Sequence, residues 1–327
     1  MQIVIDTAKT KITVKNKCFY IVAGKLKRQI SPKRVSSIAI TSNALINASA
    51  MILAAENQVP IYYFDRIGQI KAKVWSPYFK GLASLRRKQL LLSNSNFACE
   101  FSIDNMLLKL EMQKKLINKL AHWHRKEIEV MGYMKRYHIA ETALMELKSQ
   151  KETIEKVRHR ILGIEGSLAS NYWKTINLFL PEQCKFNKRS RRPARDSFNA
   201  SINYLYGMAY RQVEQGVFAC GLDPHIGFMH TENYRKVSLV FDLIEPFRPY
   251  IDELNVALFS NEKLYNSLFQ NSKDGVLVGK EAKKVLIPKF NELLQERVKF
   301  KNKVRKLRDH IFTYSSSLAD KIKKAII

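Results

Sequence analysis

The sequence has little of what marks several common protein classes. Its 4 cysteines in 327 residues form no Cys-x-x-Cys pair, which argues against a zinc ribbon and indicates reduced thiols in a cytoplasmic protein. The best apolar run, residues 48–55, is too short to span a bilayer, and the N-terminus has no signal-peptide pattern. The glycine motifs GxxxxGK[ST], GxGxxG and GxSxG are also missing. A membrane protein, a nucleotide-driven motor, a dinucleotide enzyme and an α/β-hydrolase therefore have no support.

Acidic residues are scarce relative to basic ones. Lysine and arginine total 56, aspartate and glutamate 29, and the formal net charge is +27. Such an excess favours a polyanionic partner, with nucleic acid ahead of an anionic membrane. The chain is long enough for about two domains with hydrophobic cores of their own.

The hydrophobic pattern changes once along the chain. Short β-branched runs predict strands at residues 2–6, 11–15, 18–22, 35–41, 60–65 and 69–75, with one helix over 43–58 and Asn43 as its N-cap. A linker follows at 76–81. Helical periodicity then dominates, clearest at 106–130, 149–179, 197–220, 236–246 and 280–306. The pattern predicts an α+β protein with a small β-rich domain over 1–80 and a larger all-α domain over 81–327.

Glu165 is a carboxylate on an apolar stretch of predicted helix. Ile161 and Leu168 lie three or four residues from it, on the same helix face. An unpaired buried carboxylate is costly, so Glu165 needs a cation, a proton or hydrogen-bond donors. The alternatives are a salt bridge with Arg158 or Arg160, or a position at the edge of the stripe.

Asp242 and Glu245 form a second acidic group. They are three residues apart in an apolar helical segment, so they share one face and repel unless a cation or a proton lies between them. His230 can complete such a site with a neutral imidazole. Oxygen ligands with one nitrogen suit Mg²⁺ or Mn²⁺ better than Zn²⁺. The alternative is a charge pair with Arg248.

A basic loop precedes the helix predicted at 197–220. The segment 185–195 contains several basic residues and no acidic one, and Asp196 can N-cap the helix. Beside candidate metal ligands, the loop favours contact with phosphates over a merely solvated surface. The candidate DNA-binding residues are Lys188, Arg189, Arg191, Arg192 and Arg195. A second basic stretch, 297–308, is assigned to a solvated helix face.

Three segments resemble one known family. They are 163–173 (GIEGSLASNYW), 191–206 (RRPARDSFNASINYLY), and 227–230 (GFMH) followed by 238–249 (SLVFDLIEPFRP). These segments are similar, in the same order, to motifs of the CRISPR-associated protein 1 family, the integrases of CRISPR spacer acquisition. The resemblance covers most of the chain and fits the family's two-domain shape.

The resemblance implies residue roles and an activity. Glu165, His230 and Asp242 would bind the catalytic Mg²⁺ or Mn²⁺, and Glu245 would be a neighbouring acidic residue that helps to position the ion. The enzyme would join the 3′-hydroxyl ends of short DNA duplexes to the CRISPR repeat by transesterification. Its implied partners are DNA, a second copy of itself bound through the β-rich domain, and CRISPR-associated protein 2.

Three alternatives remain open at this point. A transposon-borne relative would insert transposon ends instead of spacers. A hydrolytic DNA nuclease would use water in place of the 3′-hydroxyl. A non-catalytic DNA-binding scaffold would keep the fold and lose a ligand, although Glu165, His230 and Asp242 are all present.

Overall fold

The chain folds as two compact units. A computed structural model describes residues 2–35, 37–64, 70–74, 82–230 and 236–326. The units are Met1–Gly81 and Leu82–Ile327, so the division falls one residue from the predicted boundary. The predicted linker, 76–81, lies outside the described residues, as does the turn predicted around Gly68. The α+β class is confirmed.

The first unit is built mainly of strands. Its elements are β1 (Gln2–Ile5), β2 (Lys11–Lys15), β3 (Cys18–Ala23), β4 (Leu26–Ile30), β5 (Ser37–Ile40), β6 (Leu45–Ile46), α1 (Ala48–Glu56), β7 (Ile61–Phe64) and β8 (Ile70–Val74). One sheet has the order β1-β5-β7-β8 and the other β4-β3-β2-β6. Ile12, Phe19, Ile38 and Ile61 are fully buried and contribute to one core in this unit. Alternating apolar residues in these strands supply that core.

Three local features of this unit differ from prediction, one of them strand β6, which occupies Leu45–Ile46 inside the span predicted as helix. Strand β4 was not predicted, because the polar residues of this exposed edge strand give no apolar signal. It forms a hairpin with β3 through Gly24, whose φ of +59° favours glycine. Asn43 is not the N-cap of α1: the helix begins one turn later, where Asn47 accepts a hydrogen bond of 2.9 Å from the backbone N–H of Ala50.

The second unit is mostly helical. Its helices are α2 (Leu82–Leu92), α3 (Asn96–His124), α4 (Met131–Ser149), α5 (Ile154–Asn177), α6 (Ser197–Ala219), α7 (Ser238–Ile244), α8 (Arg248–Ser260), α9 (Lys280–Gln295) and α10 (Leu307–Lys324). Helix α3 packs against α4, α5 and α8, and against the 3₁₀ turn Glu245–Phe247 that follows α7. Within the described residues, no helix is long and apolar enough to cross a membrane.

The all-α description of this unit needs correction. Strands β9 (Phe269–Asn271) and β10 (Val276–Val278) form one hairpin, and β11 (Arg297–Phe300) and β12 (Lys303–Lys306) form another. The helix predicted over 280–306 therefore ends at Gln295. Beyond it, Val298 and Phe300 alternate with basic residues at the strand period of two, and Phe300 is buried.

Candidate active site

Asp242 is the most enclosed acidic group of the site. It lies on α7 and is 1% exposed. Its Oδ2 accepts the backbone N–H groups of Phe228 (2.6 Å) and Met229 (3.2 Å), and its Oδ1 accepts the backbone N–H of His230 (3.0 Å). A fourth contact joins Oδ1 to the Nδ1 of His230 at 2.7 Å. Two partners on each oxygen leave this carboxylate little capacity for another ligand.

His230 is oriented by Asp242. Because the carboxylate faces Nδ1, that nitrogen is the one that donates to it, and in the neutral ring Nε2 then carries the lone pair. The side chain is 35% exposed. Burial lowers the pKa of His230. The hydrogen bond and charge of Asp242, together with the charges of Glu245 and Glu165, raise this pKa by more, so that it lies above its usual value. A carboxylate behind an imidazole is a common support for a metal ligand.

The segment 227–230 requires a close approach to α7. A Cβ on Gly227 would lie 2.7 Å from the carbonyl oxygen of His230 and 2.7 Å from Ser238 Cβ. Only glycine fits such a contact without a shift of backbone. The ring of Phe228 packs edge-on against Phe101 of α3, with centroids 5.2 Å apart. This packing fixes the backbone N–H groups that Asp242 accepts.

The carbonyl oxygen of Asp242 is also held. Its usual helical partner would be the N–H of residue 246, but Pro246 has none. The buried Asn105 of α3 donates its Nδ2 to this carbonyl at 2.6 Å, and Tyr314 of α10 donates its hydroxyl to Asn105 Oδ1 at 2.8 Å. The start of the acidic turn is thus connected to two distant helices.

Glu245 lies on the turn after α7 and is buried between two cations. Arg248 donates Nε to its Oε1 at 2.9 Å, which is the charge pair that the sequence left as an alternative. Lys109 Nζ lies 2.7 Å from Oε2, although Oε2 receives no donor in hydrogen-bond geometry. Burial raises the pKa of Glu245, and the charges of Arg248 and Lys109 lower it by more, to about 2.

Glu165 lies on α5 and faces the same lysine. Lys109 donates Nζ to its Oε1 at 2.6 Å. Ile161 and Leu168 are buried on either side, while Leu162 is exposed, so Glu165 lies at the edge of the apolar stripe. Neither predicted arginine is the cation found beside it.

Lys109 is a residue of the site that the sequence motifs do not predict. It comes from α3, and Ser102, Asn105, Lys109 and Gln113 are all buried on that helix. Polar residues at spacings of three and four on the core face of a helix are the signal that could have identified it. Burial lowers the pKa of Lys109, but Glu245 and Glu165 raise it by more.

The donor types of this cluster suit a hard divalent cation. Glu165 and Glu245 each place a carboxylate oxygen against one cation, and Glu245 Oε2 is a buried acceptor without a hydrogen bond. His230 Nε2 adds a nitrogen. As the described side chains stand, however, no three His, Cys, Asp or Glu groups are gathered closely enough to hold a metal ion. The ammonium of Lys109 lies between the two carboxylates instead.

The basic loop divides into exposed and packed residues. Lys188, Arg191, Arg192 and Arg195 are exposed. Arg189 is half-buried, and its guanidinium donates to Asn199 Oδ1 (2.9 Å), Asn203 Oδ1 (2.6 Å) and the Ser190 carbonyl (2.6 Å), so its predicted contact with DNA would compete with these bonds. Burial lowers its pKa. Asp196 caps α6 as predicted, accepting the Asn199 N–H at 2.7 Å.

A cleft of about 390 Å³ lies between α5 and this loop. Ala169, one helical turn after Glu165, lines it together with Trp173. Lys188 and Arg191 line it from the loop. An aromatic ring beside cations is typical of surfaces that bind nucleic acid.

The chain is similar to known proteins over almost its whole length. The family model described as "CRISPR associated protein Cas1" matches residues 3–292. The "CRISPR-associated endonuclease Cas1 1" of Archaeoglobus fulgidus is 27% identical over 314 residues, covering 93% of this chain and 91% of that protein.

Two solved structures share the fold. A casposase bound to an integration product has a TM-score of 0.74 at 21% identity, covering 100% of this chain and 92% of that one. The Cas6-RT-Cas1–Cas2 complex contains a chain with a TM-score of 0.74 at 19% identity, covering 99% of this chain and 35% of that one.

Proposed function

The chain belongs to the CRISPR-associated protein Cas1 family, whose model spans residues 3–292, and from this premise we propose that it is a metal-dependent DNA integrase and endonuclease of CRISPR spacer acquisition. The family identified from the sequence motifs is thus confirmed. The observation that carries the proposal is the convergence of Glu165 and Glu245 on one buried cation, Lys109, with an Asp242-oriented His230 near enough for both acids to raise its pKa.

The proposed ligands differ in one position from the set implied by the resemblance. Glu165, Glu245 and His230 Nε2 would hold Mg²⁺ or Mn²⁺. Asp242 would not be a direct ligand, because its oxygens already accept three backbone N–H groups and His230 Nδ1. It would act as a positioning residue that sets the tautomer and direction of the imidazole.

The proposed reaction is strand transfer. The 3′-hydroxyl of a short duplex would lose its proton as its oxygen bonds to phosphorus in the repeat, the P–O bond to the leaving 3′-oxygen would break, and that oxygen would take up a proton, so that one phosphodiester replaces another. The bound ion would lower the pKa of the attacking hydroxyl and stabilise negative charge on the phosphate oxygens. Arg248 and Asn105 would hold Glu245 and the acidic turn in register, and exposed cations of the basic loop would hold backbone phosphates.

A plasmid integration assay tests the proposal. A labelled duplex with free 3′-hydroxyls is mixed with the protein, CRISPR-associated protein 2 and a supercoiled plasmid that carries the repeat. The reaction is run with Mn²⁺ or with EDTA. Label joined to plasmid only with Mn²⁺ is the expected result. Nicked plasmid without joined label would support the hydrolytic nuclease, and DNA binding with neither product would support the scaffold. Joining of transposon ends in preference to repeat-directed duplexes would support the transposon-borne relative.

We expect DNA affinity to depend steeply on salt and on the exposed arginines. Each phosphate contact contributes about −0.9 to the slope of log affinity against log salt. Replacing both Arg191 and Arg192 by alanine should make the slope shallower by about 2, measured by fluorescence anisotropy at several salt concentrations.

A matched control removes the same charge elsewhere. Lys135 and Arg136 are exposed on α4, and their double alanine variant should keep the wild-type slope. Equal slopes for the wild-type protein and the Arg191/Arg192 variant would contradict phosphate contact by the loop.

The proposed partners are DNA, a second copy of the chain and a Cas2-type companion; the last is supported by the Cas6-RT-Cas1–Cas2 complex, which contains a chain of this fold. The dimer would form through the strand-rich unit. Leu26 and Leu45 lie on opposite edge strands of one sheet, 52% and 63% exposed. Exposed aliphatic side chains on sheet edges favour association.

A mass measurement tests the dimer. Wild-type protein should elute as a dimer in size-exclusion chromatography with light scattering, and Leu26→Lys with Leu45→Lys should shift it toward the monomer because burying lysine is costly. Leu277→Lys, at an exposed leucine of the second unit, is the control and should remain dimeric. A wild-type monomer, or a double variant of unchanged mass, would contradict this interface.

A further inference from the structure

Lys109 joins three separate elements of the site through one nitrogen. Its Nζ lies 2.6 Å from Glu165 Oε1 on α5 and 2.7 Å from Glu245 Oε2 on the turn after α7. The lysine itself comes from α3 and is buried. The ammonium therefore neutralises two carboxylates that would otherwise repel each other in a poorly solvated place.

The same two oxygens are the proposed ligands of the divalent ion. Mg²⁺ binds carboxylate oxygens at about 2.1 Å, so an ion shared by both oxygens would need the region that the ammonium fills. Two positive charges at that separation would also repel strongly. The ion and the present position of Lys109 are mutually exclusive.

We infer that Lys109 is the resident cation of the metal-free site: it holds Glu165 and Glu245 together, and it must withdraw from at least one of them before a divalent ion can bind both. This inference rests on the proposed function. It explains why the described side chains do not form a ready metal cluster although their donor types suit one. The flexible four-carbon stem of lysine allows such a withdrawal without movement of α3.

The inference makes Lys109 a competitor of the metal as well as a support of the metal-free fold. Removing its charge should strengthen metal binding, because the ion no longer displaces a cation. It should also make the fold depend on the metal, because no other cation among the described residues bridges the two carboxylates. A purely structural lysine would produce the loss of stability without the gain in affinity.

Lys109→Met tests this with metal binding and melting temperature as readouts. In EDTA the variant should melt below the wild-type protein, and Mn²⁺ should raise its melting temperature more than that of wild type. Its affinity for Mn²⁺, measured by calorimetry without DNA, should rise about tenfold or more. Lys119→Met removes an exposed lysine of the same helix, paired with Glu253, and should change neither quantity.

A second measurement uses the wild-type protein. A crystal structure with Mn²⁺ bound should show Lys109 Nζ withdrawn from Glu165 or Glu245, and Nζ still contacting both beside a bound ion would overturn the inference. So would equal Mn²⁺ affinity of wild type and Lys109→Met, while leaving the proposed function intact. Absence of Mn²⁺ binding in both proteins, together with absence of integration, would overturn the proposed function as well.

Discussion

Replacing Glu165 or Glu245 by glutamine is expected to reduce strand transfer by about a thousandfold or more. Glutamine keeps the size of the side chain but removes the negative charge that a hard divalent cation requires. The rate of label joined to plasmid in Mn²⁺ measures the effect. DNA binding, measured by anisotropy, should stay within about twofold, because these acids contribute no attraction to phosphate.

Glu253→Gln is the matched control for this result. Glu253 lies on α8, is more exposed than Glu245 and pairs with Lys119. Its amide variant should join DNA at the wild-type rate. Normal joining by both Glu165→Gln and Glu245→Gln would contradict the proposed metal site. Loss of joining in Glu165→Gln but not in Glu245→Gln would instead favour Asp242 as the second acidic ligand.

Asp242→Ala is expected to lower the free energy of unfolding by about 3 kcal/mol or more, even in EDTA. Three backbone N–H groups and the His230 ring would lose their acceptor in a buried place. Each unsatisfied donor costs about 1–3 kcal/mol. Urea unfolding followed by circular dichroism measures the change.

The EDTA condition separates the two roles of Asp242. A residue that acted only as a metal ligand would contribute nothing to the stability of the metal-free protein. Its removal could even raise that stability, because repulsion between the carboxylates would fall. Asp104→Ala is the control: this partly exposed acid pairs with Lys148, and such pairs contribute at most about 1 kcal/mol. An Asp242→Ala variant as stable in EDTA as Asp104→Ala would contradict the positioning role.

The sequence predicts which residues meet better than it predicts what each one does. The spacing of Asp242 and Glu245 places both acids near one another, and the structure brings them together with His230 and Glu165. Their separate tasks depend on the backbone of 228–230, which packs against α7 only because residue 227 is glycine. A spacing of three residues carries no information on which acid receives those N–H groups.

The sequence also does not predict where the basic residues Lys109 and Arg189 lie. In the sequence, Lys109 is one of many basic residues, yet its side chain is buried. Arg189 belongs to a strongly charged loop, yet its guanidinium donates hydrogen bonds to Asn199 and Asn203. Both placements are set by tertiary contacts. The hairpin at 297–306 was missed for a different reason: its period of two adjoins a strong helical pattern and covers only two short strands.

The hydrogen bonds of Asn105 have a consequence for the order in which the enzyme acquires activity. Asn105 contacts Asp242, 137 residues later, and Tyr314, 209 residues later. Contacts of such sequence separation form late, because the intervening chain loses entropy when its ends meet. During synthesis on the ribosome, the basic loop at 185–195 emerges well before Tyr314. The proposed phosphate contacts of this loop can therefore form in a nascent chain before the proposed metal site is assembled, and the proposed reaction would wait until the helical unit has closed.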